Sequence, residues 1–156
     1  MKRSELDLRK ELRSICKQLV AREKPGTDFS TWPWMRNMPR NDCGNCYTAS
    51  FYLARRFKGV VVGYPIFMVE ALKNPKWIGS DTLGHDFAII EDFLVDWWGW
   101  QYWPTATLYS PVLHLEDDAE LISVRYKPMS EWGCYAVNDF RRKRDKLRHT
   151  FKPLDH

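Results

Sequence analysis

The sequence lacks a long apolar segment. No apolar run approaches the roughly 20 residues that a membrane-spanning helix needs. The first 20 residues, MKRSELDLRKELRSICKQLV, are charged throughout and have no apolar core of the kind found in secretion signals. We therefore expect a cytoplasmic protein without membrane contact. Its length predicts a single domain over residues 1–156.

Cysteine and histidine are also scarce, with four of each in the chain. A cytoplasm keeps thiols reduced, so we expect these cysteines to be catalytic, metal-bound or free rather than joined in structural disulfides. Cys43 and Cys46 lie three positions apart in NDCGNCYTAS, whereas Cys16 and Cys134 stand alone. The function depends on whether the pair binds a metal, exchanges disulfides or supplies a nucleophile.

Aromatic residues are plentiful, at 15% of the chain, and eight of them are tryptophans. Large rings bury much apolar area each, so they can supply the core of a domain of this size. The densest cluster is DWWGWQYW, residues 96–103. We expect Trp97, Trp98 and Trp100 to line a substrate cleft, and a buried aromatic core is the alternative interpretation.

The order of the predicted elements indicates an α+β fold. Amphipathic periodicity predicts a helix over residues 4–22, in an N-terminal segment that ends at residue 26, and a second helix over 43–57. The later predictions are one bent strand or two short strands over 60–69, a loop over 73–84, a hairpin of 85–90 and 93–98, a strand over 119–126, and a helix from Ser130 into a basic tail, 141–156. Helices followed by neighbouring strands favour a helical layer on an antiparallel sheet.

Metal and redox interpretations of the cysteine pair have little support. A thioredoxin-type pair follows a buried strand, but WPWMRNMPR, which has no strand pattern, precedes Cys43. A closed zinc site takes four ligands, usually as two pairs, and only one pair is present. The H-x-E motif of zinc deaminases is missing. We therefore expect no metal and no cofactor.

A nucleophile agrees better with the position of the pair. A thiol at a helix N-terminus lies among unpaired backbone N–H groups and the positive end of the helix dipole. Both favour the thiolate form, and the same N–H groups can later stabilise an oxyanion. Cys46 also begins the apolar stripe of its helix, so a small buried core residue is the alternative.

A cysteine nucleophile needs a base and a group that orients the base. His85 begins a predicted strand, and Asp96 follows eleven residues later in the predicted hairpin partner. If residues 91–92 form a two-residue turn, Ile90 faces Phe93, and His85 and Asp96 become diagonal neighbours on one face. A carboxylate there would orient the imidazole. The alternatives are a histidine at a strand edge and an aspartate in a turn.

Two segments resemble a known superfamily. CGNCYTAS resembles the C-G-[SA]-C-[WY] segment of papain-like cysteine peptidases. GHDFAIIEDFLVDWW is similar to the histidine and acidic strands of the compact NlpC/P60 and transglutaminase-like relatives. The resemblance covers about residues 43–98 and implies a papain-like core with Cys46 as the nucleophile. Because Asp42-Cys43 also resembles the NlpC/P60 start, Cys43 is the alternative nucleophile.

The chain departs from the papain pattern in three ways. His85 follows Cys46 by only 39 residues, so a compact core is implied. Asn replaces Ser or Ala at the third motif position, and the oxyanion glutamine is not visible, which leaves Asn41 or Asn45 as substitutes.

The expected function is an amide-cleaving hydrolase that uses Cys46, His85 and Asp96 and acts on a protein or peptide through a thioester. Peptidase, amidase and glutamine deamidase chemistry are not separated by the sequence. The alternative is a binding module. Either an inactive papain-like domain contacts a protein, or the basic segment 141–152 contacts nucleic acid or an acidic partner.

Overall fold

The computed structural model describes residues 4–22, 45–80, 84–102, 110–135 and 152–153. Its helices are α1 (Glu5–Arg22), α2 (Asn45–Phe57), α3 (Met68–Lys73), α4 (Trp97–Tyr102) and α5 (Ala119–Arg125). Its strands are β1 (Val60–Pro65), β2 (Gly84–Ile90), β3 (Phe93–Val95), β4 (Val112–His114), β5 (Gly133–Tyr135) and β6 (Lys152–Pro153). Met129–Glu131 form one turn of 3-10 helix.

The strands form one antiparallel sheet in the order β4-β3-β2-β1-β5-β6. Successive side chains of a strand point to opposite faces, and two apolar clusters follow this alternation. The first cluster lies between the sheet and α1, α2 and α4. The second cluster covers the other face and includes Ile122 of α5 and Trp132. The predicted α+β fold, with a helical layer on an antiparallel sheet, is therefore confirmed.

Both N-terminal helix predictions are confirmed. On α1, Leu8, Leu12, Ile15 and Leu19 recur at helical spacing and are buried. α2 ends at Phe57 and is followed by Lys58 with a positive φ of 59°. The N–H of Gly59 then donates to the Ala54 carbonyl at 2.8 Å, which satisfies one of the last helical acceptors.

The β2–β3 hairpin has the predicted register. Ile90 pairs with Phe93, and Ala88 pairs with Val95. However, β3 ends at Val95, so the predicted strand over 93–98 is wrong beyond that point. Asp96 instead caps α4, because its Oδ1 accepts the Gly99 N–H at 2.8 Å.

Two segments predicted as strands are helices in part. Within residues 60–69, β1 is the one strand, and α3 begins at Met68. The Glu70 carboxylate accepts the Phe67 N–H at 2.9 Å at the start of this helix. The strand predicted over 119–126 is α5. Ile122 and Tyr126 lie four residues apart and are both buried, as expected for one face of a helix.

The final helix predicted from Ser130 is also wrong within residues 129–135, where the 3-10 turn leads directly into β5. Gly133 is a weak helix former, and the Trp132 indole N–H donates back to the Tyr126 carbonyl at 2.8 Å. Most of the basic tail, 141–151, lies outside the described residues. Within the described ranges, no helix combines the length and apolarity needed to cross a bilayer.

Candidate active site

The site is built around His85, the second residue of β2, which is buried. Its ring lies on the face of the sheet that carries the second apolar cluster, with the Phe87 ring 6.2 Å and the Tyr126 ring 6.4 Å away between centroids. Its Nε2 lies 2.7 Å from Asp96 Oδ2. The predicted pairing of His85 with Asp96 is therefore present.

Asp96 reaches His85 from the N-terminus of α4 rather than from a neighbouring strand. Three groups hold its carboxylate: His85 and the Tyr126 hydroxyl on Oδ2, the latter at 2.9 Å, and the Gly99 N–H on Oδ1. Gly99 is needed for this approach, because a Cβ there would overlap Asp96 Oδ2 and lie 2.9 Å from His85 Nε2. The carboxylate is thus completely enclosed and well satisfied, at 2% exposure.

Cys46 lies in the first turn of α2 and is half-buried. Its side chain is hydrogen-bonded to His85. Since Asp96 occupies Nε2, the other ring nitrogen, Nδ1, is the one that remains for the thiol. Cys46, His85 and Asp96 therefore form a continuous chain of polar contacts, although they come from three separate elements.

The electrostatics of this chain favour a charged imidazole. Burial alone lowers the pKa of His85, but the Asp96 charge, the Asp96 hydrogen bond and the contact with Cys46 outweigh it and raise that pKa to about 10. A proton that leaves the Cys46 thiol is therefore stabilised on His85.

A second carboxylate, Asp86, lies beside Cys46. The Cys46 thiol contacts its Oδ2 at 4.0 Å. Because Asp86 follows His85 in β2, it lies on the opposite face, toward α2, across from Gly63 of β1. A Cβ on Gly63 would overlap Asp86 Oδ1, so the glycine makes the space that the carboxylate occupies.

Ser50, one turn after Cys46, connects α2 to β2. Its buried hydroxyl lies 2.7 Å from the Cys46 carbonyl and 3.1 Å from the Asp86 carbonyl. The hydroxyl donates to one of these two carbonyls at a time. Either hydrogen bond holds the start of α2 close to the start of β2. The contact accounts for the close approach of Cys46 to the residues of β2.

The other predicted site residues are placed as follows. Asn41 and Cys43 lie outside the described residues. Asn45 is the first residue of α2, and its side chain is not among those described. Trp97 is 1% exposed within the first apolar cluster, which favours the core interpretation for that ring. Trp98 and Trp100 are half-buried.

The remaining thiol with a described side chain is Cys16, which is buried in α1. Burial and the charge of Asp96 raise its pKa well above the ordinary value for a thiol, so it is held neutral. In the part of the chain that the structure describes, no three His, Cys, Asp or Glu side chains come together as a metal site.

Three contributors to the site were not predicted from the sequence: Asp86, Gly99 and Tyr126. Asp96 is a residue type that is favoured at helix N-caps, so a cap at this position could have been predicted from the sequence. Asp86 follows the predicted histidine directly, so strand alternation alone would have placed it toward the helical layer. No sequence pattern pointed to Tyr126, because 30 residues separate it from the carboxylate that it contacts.

Comparison of the chain with protein-family models, with curated proteins and with solved structures produced no match.

Proposed function

We propose that the protein is a cysteine-dependent hydrolase that cleaves an amide bond, with Cys46 as nucleophile, His85 as general base and acid, and Asp96 as the residue that orients His85. The observation that supports this most strongly is the contact of Cys46 with an imidazole whose far nitrogen lies 2.7 Å from a buried carboxylate. Nucleophile, base and orienting group are the three components that such catalysis requires. The resemblance to compact papain-like enzymes is part of the same proposal.

In the proposed reaction, His85 Nδ1 takes the thiol proton and Cys46 Sγ attacks the carbonyl carbon of the substrate. The electrons of the C=O bond move to oxygen, and the N–H groups at the start of α2 stabilise the resulting oxyanion. His85 then gives its proton to the leaving amine as the C–N bond breaks, which produces a thioester. Water, deprotonated by His85, attacks the thioester and releases the acid and the thiol.

The orientation of His85 supports this sequence. Asp96 receives hydrogen bonds from Tyr126 and Gly99 as well as contacting His85, so its carboxylate has one position. The imidazole is consequently prevented from rotating away from the thiol. Peptide, simple amide and glutamine side-chain substrates all suit the same chemistry, and an amine in place of water would make the reaction an acyl transfer. A cytoplasmic location belongs to this proposal.

The first test is limited iodoacetamide labelling between pH 5 and 9, with fragment mass spectrometry to separate Cys43 from Cys46. We expect Cys46 to label far faster than buried Cys16 at pH 6. We expect His85→Ala to slow Cys46 about tenfold or more, because the thiolate loses its positive partner. His114→Ala is the matched control, since His114 is also a buried strand histidine but contacts Glu5 and Asp117 instead.

If His85→Ala and His114→Ala leave the Cys46 rate equally unchanged, the Cys–His pair does not act and the proposal fails. A faster rate at Cys43 than at Cys46 would transfer the nucleophile to that residue. The second step is a panel of peptide amides and glutamine compounds, read by the release of amine or ammonia. Cys46→Ala should abolish turnover, whereas Cys16→Ala should preserve it.

A further inference from the structure

The Cys46 sulfur has two ionisable partners rather than one. It contacts Asp86 Oδ2 at 4.0 Å, and it is hydrogen-bonded to His85. The thiol proton has one place at a time: it stays on sulfur as a donor to Asp86, or it lies on His85. The two positions differ in consequence: a proton on His85 leaves an ion pair with the thiolate, whereas a charged Asp86 repels the thiolate.

We propose that Asp86 is a positioning residue that competes with His85 for the Cys46 thiol and restrains thiolate formation while its carboxylate is charged. This inference rests on the proposed function, because it concerns the regulation of the same nucleophile. The hydrogen bond to charged Asp86 keeps the proton on sulfur. A neutral Asp86 carboxyl instead donates its own O–H to the thiolate and leaves His85 as the proton acceptor.

The packing shows that the position of Asp86 is specific. Gly63, its partner on β1, leaves a space that the carboxylate occupies, and any larger residue at position 63 would fill that space. The hydroxyl of Ser50 contacts the Asp86 carbonyl and the Cys46 carbonyl, so the acid and the nucleophile are held by the same side chain. Asp86 therefore remains beside Cys46 as long as α2 packs on β2.

The titratable groups that interact electrostatically with Asp86 come from each neighbouring element. They are Cys46 from α2, His85 from its own strand, Tyr64 from β1, and Asp96 on the far side of His85. Burial raises the pKa of Asp86 to about 6, the positive charge of His85 opposes this, and Asp96 adds to it. The carboxyl group thus changes its charge in a range that a cell or compartment can reach.

The test compares Asp86→Asn with wild type by the rate of iodoacetamide alkylation of Cys46 from pH 5 to 8. Removal of a like charge next to the thiolate raises the thiolate fraction about tenfold. A more stable thiolate is a weaker nucleophile, which offsets about threefold of that gain. We therefore expect Asp86→Asn to label about threefold faster at pH 7 and equally fast near pH 5, where wild-type Asp86 is neutral.

Asp92→Asn is the matched control, because it removes the same charge from the exposed β2–β3 turn. It should label like wild type at every pH. Labelling of Asp86→Asn at or below the wild-type rate at pH 7 would overturn the inference. If Asp86→Asn does not fold, the wild-type profile decides: its slope must flatten near pH 6, and a uniform slope contradicts the restraint.

The two proposals fail in different ways. If His85→Ala labels Cys46 as fast as wild type, the Cys–His pair and the proposed function are lost. If His85→Ala slows labelling and Asp86→Asn does not accelerate it, the pair stands and only the role of Asp86 is wrong.

Discussion

The two faces of the sheet at the start of β2 surround a carboxylate with opposite sets of partners. On the face with the second apolar cluster, Asp96 is held by an imidazole, a hydroxyl and a backbone N–H. On the face toward α2, the carboxylate of Asp86 contacts a thiol, a weak donor, at 4.0 Å. Burial raises the pKa of Asp86. No comparable set of charged or neutral donors contacts its oxygens among the described residues.

The difference indicates separate uses for two acids that lie on either side of one histidine. A fully satisfied carboxylate is held in one position, which suits a group that orients an imidazole. A poorly satisfied carboxylate costs stability, and such costs accumulate at functional sites. Removal of Asp96 should therefore weaken the fold, whereas neutralisation of Asp86 should strengthen it.

The largest effect is expected for Asp96→Ala. This change leaves His85, the Tyr126 hydroxyl and the Gly99 N–H without their buried acceptor, so the free energy of unfolding should fall by about 3–5 kcal/mol. Urea denaturation at pH 7 measures it. Asp92→Ala, in the exposed turn, should change stability by less than about 0.5 kcal/mol, and an equal loss in both variants would refute the role of the Asp96 contacts.

The same variant also tests the pH dependence of stability. His85 has a raised pKa in the folded protein, so its pairing with Asp96 stabilises the fold fully below about pH 6.5. This contribution is lost as the pH rises toward about 10. Wild-type stability should fall over that range. Asp96→Ala should have a flatter profile there, because the main positive contribution to the His85 pKa is absent.

An intermediate effect is expected for Tyr126→Phe, which removes one hydrogen bond to a charged carboxylate and should cost about 1.5–3 kcal/mol. Tyr64→Phe is the matched control, because its buried hydroxyl donates at 3.0 Å to the neutral Ile78 carbonyl and should cost about 1 kcal/mol. Both losses can be measured by thermal unfolding. Only Tyr126→Phe should also slow Cys46 labelling, and equal labelling of the two variants would remove Tyr126 from the site.

The smallest effect, and the one of opposite sign, is expected for Asp86→Asn. A raised pKa in the folded state means that folded Asp86 binds its proton more tightly, so wild-type stability falls as the pH rises from about 3.8 to about 6. Asp86→Asn should therefore be more stable than wild type at pH 7, by on the order of 1 kcal/mol after allowance for partial exposure. Denaturation at pH 4 and pH 7 checks this, and a loss of stability at pH 7 would show that the charged Asp86 carboxylate stabilises the fold.

Local sequence patterns predicted most of the helices and strands that carry the site residues. Amphipathic spacing located α1 and α2, and the two-residue turn gave the register of β2 and β3. The same reasoning extended β3 through Asp96 and treated α5 as a strand. Alternating apolar residues over a few positions fit a strand and one face of a short helix equally well, so packing decided between them.

The sequence by itself determined the helix that carries Cys46, the hairpin that begins with His85, and the pairing of His85 with Asp96. These features depend on residues near one another in the chain, where spacing and turn length limit the geometry. Only the tertiary structure decided that Tyr126 completes the hydrogen bonds of Asp96 and that Asp86 lies against the thiol. These contacts join elements 30 to 40 residues apart, and their formation depends on how the helices and the sheet pack, which no local pattern encodes.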